Sequence, residues 1–171
     1  MDRLWAPWRK AYIRPEKRKA AGCLFCRLRS QQKDPRNYIL KRSPFSFAVL
    51  NLYPYNNGHV MIVPNRHTAS LAGLNPAERL DWLSLMDEVL GALQKTLKPH
   101  GFNIGINIGR PAGAGVPRHL HLHIVPRWKG DVNFMSVTAG ARVISESLNS
   151  VYRLLAKALR TKIKKPKRIR G

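Results

Sequence analysis

The chain has 171 residues, which fits one domain, and its 44% hydrophobic content is ordinary for a globular core. Its 31 Lys and Arg against 9 Asp and Glu give a formal net charge of +22, which predicts attraction to polyanions: nucleotides, nucleic acid or anionic surfaces. No apolar run approaches the ~20 residues of a membrane span, Met1 to Lys10 lacks the apolar core of a signal peptide, and 2 cysteines make no secreted disulfide framework, so a cytoplasmic protein is predicted.

Residues 1–20 are rich in Trp, Pro and Arg, and read as an arm that packs on the body or on a second subunit. Lys17-Arg18-Lys19 marks a solvated break, and Cys23 to Ser30 reads as a short helix or turn. Strands are predicted over Asn37 to Lys41 and Phe45 to Asn51, separated by the turn residues Ser43-Pro44. The segment from Tyr53 to Gly58 is a loop, and His59 to Val63 is the next strand, stopped by Pro64. The period then changes. Asn75 is a good N-cap, Pro76 suits the first helical position, and Glu78 stands where a capping-box partner belongs. Leu80, Leu83, Met86, Val89, Leu90, Leu93 and Leu97 recur at helical spacing, which predicts one amphipathic helix over Pro76 to Leu97 with this stripe in the core. Phe102 to Ile108 is a strand, Arg110 to Arg118 a glycine-containing loop, and His119 to Val125 a strand. Residues 127–146 look irregular, Leu148 to Leu159 reads as a short helix, and 161–171 is a basic tail with too few apolar groups to order. The predicted organisation is therefore an arm (1–20), a single domain (21–160) and a tail (161–171). The class is α+β: a mostly antiparallel sheet of about five strands with one long helix on one face and short extra helices. The other face is predicted to be a basic, histidine-bearing surface.

The chemistry concentrates in His119-Leu120-His121-Leu122-His123. In an extended strand this alternation puts the three imidazoles on one face and Leu120, Leu122 and Ile124 on the other. Near neutral pH histidine can serve as nucleophile, acid, base or metal ligand. Partly exposed edge-strand histidines and a short metal-binding tract are the competing readings. Just upstream, Gly113-Ala114-Gly115-Val116 allows backbone N–H groups to approach an anion. A phosphate held there would lie against the imidazoles, and a neutral imidazole nitrogen could attack phosphorus. Cys23-x-x-Cys26 reads as a zinc pair, a redox pair or an incidental spacing.

The run His119 to Val125 resembles the signature of the histidine-triad (HIT) superfamily of nucleotide hydrolases and transferases. The segment Gly58-His59-Val60-Met61-Ile62-Val63-Pro64-Asn65-Arg66-His67, with Asn51 ahead of it, resembles a second conserved stretch of that family. The segments 3–9, 22–26, 51–55 and 126–135 are similar to the bacterial branch that contains the diadenosine tetraphosphate phosphorylases. The resemblance implies that His121 is the nucleophile on an α-phosphorus. His123 would bond the phosphate and help protonate the leaving group, while His59 orients the triad and His119 supports the strand or binds metal. Asn51 would contact ribose. Asn107, Gly113, Gly115 and Val116 would hold phosphate oxygens, and Trp128 would wall the substrate site. It also implies a structural zinc on Cys23, Cys26, His67 and His119, and a homodimer or higher homo-oligomer. Glycine at 115 offers a backbone N–H but no hydroxyl, so phosphate and water both stand as acceptors for the adenylyl group. Two further classes remain: a polyanion- or nucleic-acid-binding protein using the basic surface and tail, and a nucleotidylyltransferase with another phosphate acceptor.

Overall fold

The computed structural model describes residues 22–131 and 146–160, so the predicted arm, the basic tail and most of the irregular stretch lie outside the described residues. Among the described residues, the chain runs α1 (Leu24–Ser30), β1 (Ile39–Arg42), β2 (Ser46–Leu50), β3 (Val60–Pro64), a 3-10 turn (Leu71–Gly73), α2 (Pro76–Leu97), β4 (Gly101–Ile106), β5 (Leu122–Arg127) and α3 (Leu148–Arg160). The strands form one antiparallel sheet of order β1-β2-β3-β5-β4, as the α+β expectation requires.

Period-two alternation sorts the strands between two cores. Ala48, Leu50, Val60, Ile62, Leu122 and Ile124 face α2 and α3, where they meet Trp82, Leu85, Val89, Leu93, Val151 and Leu155. Phe47, Val49 and Val63 face the other way, onto Phe25 of α1. Every residue of β2 is buried, because both of its faces are covered. The single-helix cover predicted from sequence is therefore corrected: α2 and α3 share one face, and α1 sits on the other.

The α2 boundaries match the sequence prediction because local chemistry defines them. The Asn75 side chain accepts the Glu78 N–H at 2.9 Å, Glu78 accepts the Asn75 N–H at 2.9 Å, and Lys98 closes the helix in a left-handed conformation. The predicted stripe is partly wrong. Leu80 and Leu83 are exposed, whereas Trp82, Leu85 and Ala92 are buried with Val89 and Leu93. The face that meets the sheet is rotated toward 82-85-89-93, a spacing that the 3.6 period permits equally well.

Strand limits also shift. β4 ends at Ile106 because its partner β5 begins at Leu122, the residue opposite. Ahead of Leu122 the amides are bonded elsewhere: His119 donates to the Val116 carbonyl at 3.2 Å and Leu120 to the Thr68 carbonyl at 2.7 Å. Of the three triad histidines, His123 alone therefore lies within the ladder. Pro64 does not stop β3 but ends it, opposite Ser46, where a missing N–H is tolerated. Gly58, which leads into the His59 segment, has φ +71°, and a Cβ there would stand 2.5 Å from Leu97 and 3.4 Å from Pro126. Only glycine suits that position without strain or a clash.

Candidate active site and metal centre

The histidine face is not a surface. His59, His119, His121 and His123 are 1%, 2%, 4% and 8% exposed, which corrects the predicted solvent-facing patch. Two aromatic residues cover them. The Phe25 ring of α1 stands 5.4 Å from His119 and 5.1 Å from His121, and Tyr55 stands 4.7 Å from His59 and 5.7 Å from His123. Burial disfavours the imidazolium form. It lowers the pKa of His121, and lowers His123 to about 4; His59 falls to about 3 through burial and the neighbouring His123 and His121. All three are neutral at pH 7.

Neutral imidazole carries one proton, and the hydrogen bonds assign it. The Tyr55 N–H donates to His59 Nδ1 at 3.0 Å, and the Asn51 side-chain nitrogen lies 3.3 Å from the same atom. His59 therefore carries its proton on Nε2 and donates it to His123 Nδ1 at 2.9 Å. His123 in turn carries its proton on Nε2, a buried atom with no partner among the described residues. His121 has the opposite arrangement. Its Nδ1–H donates to the His119 carbonyl at 2.9 Å, which leaves a lone pair on Nε2. The rings of His121 and His123 lie 4.9 Å apart. The pair thus offers one nucleophilic nitrogen beside one unpaired N–H donor.

His119 is turned to another task. Its Nε2–H donates to the Pro64 carbonyl at 2.8 Å, freeing Nδ1. That nitrogen lies 3.3 Å from the Cys23 sulfur and 3.7 Å from the Cys26 sulfur, and Cys26 lies 3.3 Å from His67 Nδ1. The four donor atoms of Cys23, Cys26, His67 and His119 all lie within 4.8 Å of one another. A tetrahedral zinc site with bonds of about 2.0–2.3 Å has ligand-to-ligand edges of roughly 3.3–3.8 Å, so the residues present fit the ion. The carbonyl behind His119 fixes its ring as outer-sphere partners of metal ligands do. Burial raises the pKa of the Cys26 thiol, a cost that a coordinated cation offsets.

The other predicted residues divide. Asn51 sits against His59 and also accepts the Tyr53 N–H at 3.0 Å. The Asn107 amide lies 3.6 Å from the point where a Gly113 Cβ would stand. The Gly113 amide is engaged by the Arg110 carbonyl and that of Ala114 by the Gly109 carbonyl, so Gly113 (φ +89°) serves the turn. The amides of Gly115 and Val116 have no backbone partner among the described residues. Trp128 is not brought to the histidines. It lines a separate cavity of about 520 Å³ with Asn56, Leu97, Asp131 and Glu146. Sequence reasoning missed Phe25 and Tyr55. Phe25 sits between the two cysteines on a short helix without a readable period and Tyr55 in a Pro/Asn turn; the resemblance covers both segments but attaches no role to either ring.

A five-stranded antiparallel sheet with buried histidines alternating into one strand, and a fourth imidazole bonded to the last, defines a histidine-triad protein. The chain belongs to the HIT domain family, whose model matches residues 32–130. It is 36% identical over 163 residues to an AP-4-A phosphorylase of Mycobacterium tuberculosis, covering 91% of this chain and 83% of that protein. It is 38% identical over 93 residues to an asymmetrical bis(5'-nucleosyl)-tetraphosphatase of Schizosaccharomyces pombe, covering 54% and 50% of the two chains. Among solved structures, a Zn-bound histidine triad family protein from Mycobacterium smegmatis aligns with a TM-score of 0.66 and 28% identity, over 81% of this chain and 94% of that one. Such named relatives are phosphorylase and hydrolase enzymes.

Proposed function

We propose that the protein cleaves dinucleoside polyphosphates of the diadenosine tetraphosphate kind at an α-phosphate, through a covalent adenylyl group on His121. The observation that carries this reading is the complementary tautomer pair: a lone pair on His121 Nε2 beside an unpartnered N–H on His123 Nε2. In the first step His121 Nε2 forms the N–P bond while the bond from α-phosphorus to the bridging oxygen breaks. The His123 N–H, held by His59, donates to a phosphoryl oxygen or the departing bridging oxygen, and the Gly115 and Val116 amides receive further charge. In the second step an acceptor oxygen attacks phosphorus, the N–P bond breaks, and His121 returns to its starting form. Phosphate as acceptor gives ADP plus ATP from diadenosine tetraphosphate; water gives AMP plus ATP. Asn51, beside His59, would contact ribose, and Asn107 would contact phosphate. The similarity to a phosphorylase and a tetraphosphatase supports both the substrate class and the bond cleaved.

Zinc on Cys23, Cys26, His67 and His119 would supply a closed structural centre that fixes α1 to the segment leading into β5. The chemical step needs none of its Lewis acidity. We place the partner copy of a homodimer on the sheet edge at β4, which no strand covers among the described residues.

Product analysis tests the function. The protein is incubated with diadenosine tetraphosphate, with and without inorganic phosphate, and the nucleotides are separated. Turnover with an acid-labile adenylyl group on His121 is expected; turnover without any protein-bound adenylate overturns the covalent step.

A further inference from the structure

A cavity of about 800 Å³ opens beside the metal centre, lined by Arg27, Arg110 and Arg118 together with His67, Gly115 and Val116. Its volume is that of a ligand site. Its charge is one-sided. Among the described residues no carboxylate lines it, and none of the three arginines appears in an ion pair. Elsewhere four of the acids are paired: Asp34 with Arg42, Glu78 with Arg66, Glu88 with Lys41 and Asp131 with Arg127. Three exposed guanidinium groups around one hollow repel one another, an arrangement that an anion relieves.

Val116 connects the cavity to the chemistry. Its carbonyl accepts the His119 N–H at 3.2 Å, and its side chain packs on the cluster containing Phe25, whose ring contacts His119 and His121. We infer that this cavity is the subsite for the leaving polyphosphate, and that after departure it receives inorganic phosphate as the acceptor. The inference rests on the proposed adenylyl-histidine chemistry. In-line displacement puts the acceptor oxygen where the leaving oxygen departed, so one anion subsite serves both steps. The atoms balance. The polyphosphate nucleotide leaves with the bridging oxygen; a phosphate oxygen then bonds to the α-phosphorus as the N–P bond breaks, releasing a nucleoside diphosphate. Arginine suits the task because its planar fork pairs with two phosphate oxygens at once. A nucleic-acid strand fits less well. Such sites combine a long basic groove with aromatic platforms for the bases, and among the described residues no Phe, Tyr or Trp lines this cavity.

The test uses the full chain carrying Arg110→Ala with Arg118→Ala, and separately Arg27→Ala, with thermal midpoint and zinc content measured to check folding. The readouts are the KM for inorganic phosphate and the ratio of kcat/KM on diadenosine tetraphosphate to that on the 4-nitrophenyl ester of AMP, which has no distal phosphates. Loss of one charge-assisted contact is expected to change a readout on the order of tenfold. The double variant should therefore lower the ratio and raise the KM for phosphate by tenfold or more, with products shifting from ADP toward AMP. Arg→Lys at both positions should recover part of the loss. An unchanged ratio and phosphate KM in a folded variant overturns the subsite, as does an equal loss on both substrates. So does reduced affinity for a single-stranded oligonucleotide with the ratio unmoved, which would assign the arginines to nucleic acid. Failure of the adenylyl-histidine reading looks different: the wild-type protein itself would turn over without any protein-bound adenylate, or would turn over neither substrate.

Discussion

At His121 the chemistry reduces to one lone pair. The His119 carbonyl accepts a hydrogen bond from its Nδ1–H, burial keeps the ring neutral, and Nε2 is left to attack. His121→Asn retains a side chain of similar reach and polarity without that nucleophile. Turnover of diadenosine tetraphosphate is expected to fall by more than about a thousandfold, with the thermal midpoint little changed. Near-normal turnover in the variant would remove His121 from the mechanism. The neighbouring pair sets a pH dependence of stability. His59 and His123 have folded-state pKa values of about 3 and about 4, below the ordinary imidazole value near 6.5. The unfolded chain therefore binds more protons as pH drops below 6.5, and stability falls with it. The contribution is complete above about pH 6.5 and declines toward pH 4 for His123 and pH 3 for His59. Urea midpoints measured from pH 7.5 down to 4 are expected to fall below 6.5, and His123→Asn should flatten that fall. An equally steep fall in the variant would place the acid sensitivity elsewhere.

At the scale of elements, the four proposed zinc ligands come from pieces that are far apart in sequence. Cys23 and Cys26 bring the short α1, His67 follows β3, and His119 precedes β5. Seven residues are too few for a helix to hold itself, so α1 depends on Phe25 and on those ligands. Cys23→Ser is expected to lower the thermal midpoint by about 10 °C, the effect of roughly 3 kcal/mol in a domain of this size. A chelator should bring the wild-type protein to the same midpoint and leave the variant unmoved; a wild-type protein indifferent to chelation and free of zinc would refute the metal claim. This element also marks the limit of what the sequence discloses. The ends of α2 were readable because Asn75, Pro76 and Glu78 are neighbours whose hydrogen bonds close locally. The alternation of His119 to His123 was readable because strand geometry alone separates imidazoles from leucines. Burial of the imidazoles was not, since their covers, Phe25 and Tyr55, arrive from outside the strand. Nor was the start of β5 at Leu122, which depends on the Val116 and Thr68 carbonyls capturing two amides. The inward face of α2 was misread for a related reason. Leucines at 80 and 83 satisfy the helical period, but the sheet meets Trp82 and Leu85, and only packing distinguishes the two faces.

Across the whole molecule the two edges of the sheet differ. β1 is bulged, its Lys41 pairs with Glu88, and Tyr38 beside it bonds to Asn149 of α3 at 2.8 Å. Among the described residues β4 has no such cover. Its pattern is intermediate at both ends and exposed in the middle, with Ile104 46% exposed and Ile108 just beyond it 58% exposed. An edge strand with apolar side chains and unpaired backbone groups invites another strand, and proteins protect such edges with charge, bulges or a partner. Of the first two defences β4 has neither. Its residues Gly101 to Ile106 contain no charged side chain, and its register against β5 runs without a shift from Gly101↔Arg127 to Ile106↔Leu122. A second copy is the partner that fits, because two identical edges can pair antiparallel about a twofold axis, and each Ile104 then leaves water. The wild-type protein is expected to sediment as a dimer at micromolar concentration. Ile104→Lys puts two like charges near the axis and should shift the species to monomer, while the fold is kept because Ile104 is exposed and belongs to neither buried core. A wild-type monomer, or a variant that dimerises as tightly as the wild type, would move the interface away from β4.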